Sequence, residues 1–149
     1  MSSRIEVLHG VNLNTLGERN PLIYGEFTLG ELERHVTGLG RDMGLEVECF
    51  QTNHEGEFVE RLQSLGERAD AAIVNAGAWT HYAYALRDAL EVSRIPAVEV
   101  HISDISQRER WRQHSVFADL DQVIAQIYGK GPDGYREALE LIAKYLESP

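Results

Sequence analysis

The chain has 149 residues, a formal net charge of −10 and 43% apolar residues, with a single cysteine. That size suits one domain, and the apolar content is far too high for a disordered chain. The acidic balance argues against nucleic acid or an anionic membrane as a general partner, although a few arginines in a cleft can still invert the local potential.

No apolar run approaches the roughly 18 residues of a membrane span. The opening MSSRIEVLHG has no apolar stretch long enough for a signal peptide. Cys49 alone allows no internal disulfide and reads as a buried structural thiol. A cytoplasmic location is therefore expected.

In chain order, Arg4 to His9 reads as a strand, followed by the long loop HGVNLNTLGERNPLIYG. Connections usually run to about 4–6 residues, and longer ones tend to be lids or binding loops. This one carries two amides, Asn12 and Asn14, with Arg19 and Tyr24. Thr28 and Glu31 have capping-box spacing, and Leu29, Leu32, Val36 and Leu39 carry a helix to about Met43, stopped by Gly44. Leu45 to Phe50 reads as a strand, Glu57 to Arg68 as a helix and Ala71 to Asn75 as a buried strand. Thr80 is expected to cap a helix running to about Val92, with Tyr82, Ala85, Leu86 and Ala89 to Leu90 inward. Ala97 to Ile102 is a strand, Gln107 to Arg112 a short charged helix and Gln122 to Tyr128 a last strand. Tyr135 to Leu146 closes the chain as an amphipathic helix.

Five strands alternating with helices predict one α/β domain over 1–149: a flavodoxin-like, doubly wound parallel sheet of order 2-1-3-4-5 between helical layers. Ligands in such sheets bind beyond the carboxyl ends of the strands. Reading only those positions gathers His9, Asn12, Asn14, Arg19 and Tyr24 after the first strand. Gln51 to His54 follow the second, and Asn75, Thr80 and His81 the third. Glu99, His101 and Ser103 end the fourth, with Arg108 and Arg112 beyond. Any one of these could be a turn, cap or structural hydrogen bond; their convergence on acid–base and anion-binding chemistry points to a site. His35 and His114 are read as outside it. The Gly129-x-Gly131-x-x-Gly134 pattern follows the last strand, with no further βαβ unit to hold a nucleotide, and reads as a turn and helix start. His81, His101 and Glu99 could in principle form a facial metal site, but the favoured reading needs no metal or cofactor.

The set supports a specific chemistry. A free phenol ionises near about 10, and an adjacent permanent cation such as Arg19 favours tyrosinate at Tyr24. Tyrosinate could take a proton alpha to a carbonyl, with Asn12 serving the enolate directly or through water. His101, held by Glu99, suits the acid for a leaving hydroxyl, while Arg112, His81, Asn75 and the amides near Ile102 and Ser103 suit a carboxylate and hydroxyls. Together these describe a dehydratase acting on a hydroxylated keto acid; the competing reading is a non-catalytic, flavodoxin-like binding or assembly module.

HGVNLNTLGERNPLIYG, NAGAWTHYAYALRDAL, PAVEVHISDISQRERWRQHS and GYREALELIAKYL resemble the corresponding segments of type II 3-dehydroquinate dehydratases. The resemblance spans essentially the whole chain. It implies anti elimination of water from 3-dehydroquinate to 3-dehydroshikimate through an enolate, without cofactor, in the shikimate pathway or in quinate breakdown. By position it makes Tyr24 the base, Arg19 its activator on a mobile lid, Asn12 the residue ordering an enolate-stabilising water, and His101 the acid partnered by Glu99. Asn75, His81, Ile102, Ser103 and Arg112 match substrate-binding positions, and Asp88 an acid that reaches a neighbouring subunit's site. The resemblance also implies homo-oligomers, trimers grouped into a dodecamer. Val11 stands where the family usually has proline, and Trp79 is bulkier than expected; both bear on loop geometry.

Overall fold

The computed structural model describes residues 2–148. The one-domain expectation over 1–149 includes Met1 and Pro149, which lie outside the described residues. Five parallel strands form one sheet: β1 (Arg4–His9), β2 (Glu46–Gln51), β3 (Ala71–Asn75), β4 (Ala97–His101) and β5 (Val123–Tyr128). Their order is β2-β1-β3-β4-β5, as the alternation predicts. The helices are α1 (Pro21–Tyr24), α2 (Leu29–Asp42), α3 (Glu55–Gln63), α4 (Tyr84–Ser93) and α5 (Asp133–Glu147).

Strand alternation sorts the core into two layers. Ile5, Val7, Ile73, Val98 and Val100 face α2 and α5, meeting Leu32, Val36, Leu139 and Ile142. Leu8, Ala72 and Val74 face the other way, against Phe58 and Leu62 of α3 and Leu86 and Leu90 of α4. Each large side chain buried completely contributes about 1.5–3 kcal/mol. The buried runs of β3 and β4 follow from coverage on both faces.

Local signals account for most element ends. Thr28 Oγ1 accepts from the Glu31 amide at 3.1 Å, and Glu31 Oε1 accepts from the Thr28 amide at 3.3 Å, completing the expected capping box of α2. Gly44, at φ 76°, adopts the left-handed turn that closes it. Cys49 is half-buried on the edge strand β2, and burial raises its thiol to about 11, so it is held protonated.

Four expectations are corrected. Thr80 does not cap α4: it lies inside a 3-10 segment, Gly77–His81, and Ala83 occupies the cap position without a side-chain bond. Tyr82 and Ala85 are exposed, because α4 starts later and presents Leu86, Ala89 and Leu90 inward. The helix expected over Gln107 to Arg112 is two 3-10 pieces, Ile105–Gln107 and Arg110–Gln113, in which Ile105 alone is buried, so there is no apolar face to hold a longer helix. The third helix also ends early, at Gln63, and a 3-10 segment over Leu65–Glu67 completes the descent to β3.

Gly10 is where the chain leaves β1 for the long loop. Its amide donates to the Asn75 carbonyl at 2.8 Å, and a β-carbon built there would lie 2.3 Å from the Ala76 carbonyl oxygen. Gly10→Ala therefore pushes β1 and β3 apart at the site edge. A loss of about 2 kcal/mol is expected in urea melts; an unchanged midpoint would show that the two strand ends can separate freely.

Candidate active site

The carboxyl ends of β1, β3 and β4 converge on a cleft of about 540 Å³, including its open mouth. Asn12, Arg19, Tyr24, Asn75, His81, His101, Ile102, Ser103 and Arg112 all line it. Glu99 is buried directly behind His101. Asp88 does not line this cleft; it is exposed on α4.

The loop supplies one wall. Asn12 is held in the left-handed region, at φ 67°, and its amide donates to Asn53 Oδ1 at 2.8 Å. Asn53 Nδ2 donates to Asn14 Oδ1, and Gln51 Nε2 donates to both Asn53 Oδ1 and the Gly10 carbonyl. Gln51 and Asn53 thus brace the loop, and none of Gln51 to His54 lines the cleft. Further on, Asn20 accepts from the Leu22 amide at 3.0 Å and starts α1 at Pro21, turning Tyr24 inward until it is buried.

At the Tyr24 oxygen two guanidinium groups meet. Arg19 Nη2 donates at 2.9 Å and Arg108 Nη1 at 2.6 Å. Arg19 also lies over the ring, 3.8 Å from its centre. Two charged donors leave the oxygen accepting on both sides and stabilise negative charge there. Sequence reasoning placed Arg108 beyond β4 but assigned it no role. Only the folded chain brings it across to the phenol, and it also donates to Ser103 Oγ at 3.3 Å.

The opposite wall is a histidine pair. His101 Nε2 lies 2.6 Å from Glu99 Oε2. Ser115 Oγ donates to both carboxylate oxygens and Gln126 Nε2 to Oε1, so Glu99 is fully engaged. Burial pushes the Glu99 carboxyl up, but the His101 hydrogen bond and charge, with Gln126 and Ser115, outweigh it and hold it below the usual range. The engaged carboxylate leaves His101 Nδ1 as the ring nitrogen available to the cleft. Gln126 was legible only from the register that sets it opposite Glu99 on β5.

His81 stacks beside His101, ring centres 6.2 Å apart. Its Nδ1 donates to the His114 carbonyl at 2.7 Å, leaving Nε2 toward the cleft. Burial lowers its affinity for a proton, outweighing that hydrogen bond. His114 thus serves the site through its backbone.

The glycine pattern after β5 has a role too. The amides of Gly129 and Gly131 donate to the carbonyls of Ser103 and Ile102, at 3.1 and 3.2 Å, anchoring the end of β4. Trp79 turns away from the cleft and packs edge-on against Phe58, ring centres 5.7 Å apart, so its bulk is absorbed by the core. Val11 lines the cleft.

Acid works against this architecture. His9, buried at the end of β1, has its pKa lowered by burial to about 4. The unfolded chain binds that proton near 6.5, so the fold's advantage is complete above that value and is lost as pH falls toward 4. The loss amounts to about 3 kcal/mol. Glu99 adds to it at lower pH, where its depressed carboxyl must finally protonate. Urea midpoints are expected to decline from pH 6.5 to 4; a flat profile would refute the neutral, buried state of His9.

A doubly wound parallel sheet whose switch-point cleft opposes an arginine-flanked phenol to a carboxylate-held imidazole has the equipment of an acid–base lyase. The chain belongs to the dehydroquinase class II family, whose model matches residues 3–143. It is 47% identical over 146 residues to a 3-dehydroquinate dehydratase of Pelobacter propionicus, covering 97% of each chain. Its identity to that of Thermotoga maritima is 48% over 144 residues, again 97% of each. Among solved structures, the type II dehydroquinase of Butyrivibrio crossotus superposes with a TM-score of 0.89 at 39% identity, covering 95% of this chain and 97% of that one. The Propionibacterium acnes enzyme gives 0.89 at 40%, covering 97% and 98%.

Proposed function

We propose that the chain is a 3-dehydroquinate dehydratase of the shikimate route or of quinate breakdown, working through the groups that meet in this cleft. One observation carries the reading: the Tyr24 oxygen, flanked by Arg19 and Arg108, shares a cleft with a His101 backed by Glu99.

Tyr24, as tyrosinate, takes the proton alpha to the substrate's ketone. The electron pair of that C–H bond moves into an enolate, which Asn12 stabilises through a water. The enolate then expels the β-hydroxyl as His101 Nδ1 delivers a proton to it, so the hydroxyl leaves as water. Glu99 keeps His101 oriented through the contact at Nε2. Tyr24 and His101 return to their starting states by exchanging protons with solvent. Arg112, Asn75, the Nε2 of His81 and the backbone at Ile102 and Ser103 hold the substrate's carboxylate and hydroxyls.

The reading includes assembly in the cytoplasm as trimers grouped into a dodecamer, with Asp88 of one copy reaching a neighbour's cleft. The exposure of Asp88 on α4, beside exposed Tyr82 and Tyr84, supports that placement. Light scattering tests the assembly.

The activity is tested by mixing the purified protein with 3-dehydroquinate and following the ultraviolet absorbance of the conjugated enone. Growth of that absorbance is expected. Folded protein giving none at any pH from about 5 to 9 would leave the binding module as the reading.

A further inference from the structure

His9 and Tyr135 take no part in the steps above, yet both are completely buried under the cleft floor. His9 ends β1 and pairs with Asn75 of β3 in the parallel ladder, so the two side chains leave the sheet on the same face. There α5 presents Tyr135, whose oxygen lies 2.8 Å from His9 Nε2 and 3.1 Å from Asn75 Nδ2. At its other end, Asn75 Oδ1 accepts from the Gly77 amide at 3.2 Å.

Donor and acceptor types give this chain a direction. A backbone N–H only donates, so the oxygen of the Asn75 amide faces Gly77 and its nitrogen faces Tyr135. The Tyr135 oxygen therefore accepts from Asn75, and its own hydrogen needs an acceptor, which His9 Nε2 provides. That places the imidazole hydrogen on Nδ1, the one ring nitrogen without a partner among the described residues. A hydrogen on Nε2 instead would strand the Tyr135 hydroxyl hydrogen and leave Nδ1 unpaired as well. A flipped Asn75 would set two N–H groups against each other at Gly77. The directed arrangement leaves the fewest buried groups unpaired.

We propose that His9 and Tyr135 are positioning residues that lock the Asn75 amide, through the chain Gly77–Asn75–Tyr135–His9, with its second Nδ2 hydrogen offered to the cleft as a donor to a substrate oxygen. This rests on the reading of Asn75 as a binding group for 3-dehydroquinate. Asn75 lines the cleft, and no acceptor among the described residues takes that hydrogen. The low proton affinity of buried His9 agrees with a neutral, accepting Nε2.

The test combines kinetics with nitrogen NMR on the intact protein. Tyr135→Phe keeps the ring and removes the link. It is expected to raise KM about tenfold, with kcat changed by less than about threefold, because a uniform binding contact is lost. His9→Leu is expected to do the same. His9→Gln places an acceptor near the position of Nε2 and should restore KM to within about threefold of the wild type. In an Asn75→Ala background the Tyr135→Phe effect should vanish, since it acts through that amide. Independently, His9 should show Nδ1 protonated and Nε2 as an acceptor at neutral pH. An unchanged KM in Tyr135→Phe, a full effect in the Asn75→Ala background, or a protonated Nε2 would each overturn the proposal. Wild-type protein without turnover would instead sink the functional reading, leaving the tautomer to be judged by NMR alone.

Discussion

Tyr24→Phe is expected to lower kcat for 3-dehydroquinate by about ten-thousand-fold while thermal stability changes little, the upper range for removing a positioned acid–base group. The substitution removes a single oxygen. The ring, buried beneath Arg19, remains, so α1 and the wall of the cleft keep their packing. What disappears is the atom on which two guanidinium groups converge at 2.9 and 2.6 Å. Neither arginine can accept a proton in its place, since guanidinium has no free lone pair near neutral pH. Exchange of the substrate's alpha proton with deuterated solvent should be lost together with elimination. Turnover within about tenfold of the wild type would remove Tyr24 from the role of base.

The arginines should not be equivalent in the same assay. Arg19 sits on the loop arm, whereas Arg108 also bonds Ser103 at the end of β4. Arg108 therefore ties the arm to the sheet as well as supplying charge.

How far the sequence carries can be judged from particular residues. The sheet order followed from alternation of strands and helices, because parallel strands covered on both faces leave long apolar runs such as Ala71 to Val74. Asn12, Asn75 and His101 were legible because ligands in this fold sit beyond strand ends, so position along the chain maps to position in space. Arg108 was not assignable. It stands 84 residues from Tyr24, in a segment of irregular 3-10 turns where no periodicity says which guanidinium turns inward. The same irregularity defeated Thr80, whose cap-like spacing was overridden when the backbone tightened into a 3-10 turn and buried it. Tyr135 stood only as the first residue of an amphipathic closing helix. Its hydroxyl acquires a partner only when the register sets His9 beside Asn75.

His101→Ala separates the two halves of the site. It is expected to cost about a thousandfold in kcat, within the range for a general acid, with KM nearly unchanged because His81, Asn75 and Arg112 remain to hold substrate. The distinguishing observable is again exchange. With Tyr24 and its arginines intact, the alpha proton should still be removed and the enolate still formed, but the hydroxyl has no proton to leave with. Exchange should therefore persist while elimination fails, the opposite of Tyr24→Phe, which loses both. Glu99→Gln should cost less than His101→Ala and likewise leave exchange intact. Its amide can still bond His101 but cannot balance an imidazolium, and Ser115 and Gln126 lose the charge they were placed to support. If His101→Ala abolished exchange as completely as elimination, His101 would belong to the first proton transfer, and the division of the cleft into a base on the loop and an acid on β4 would be wrong.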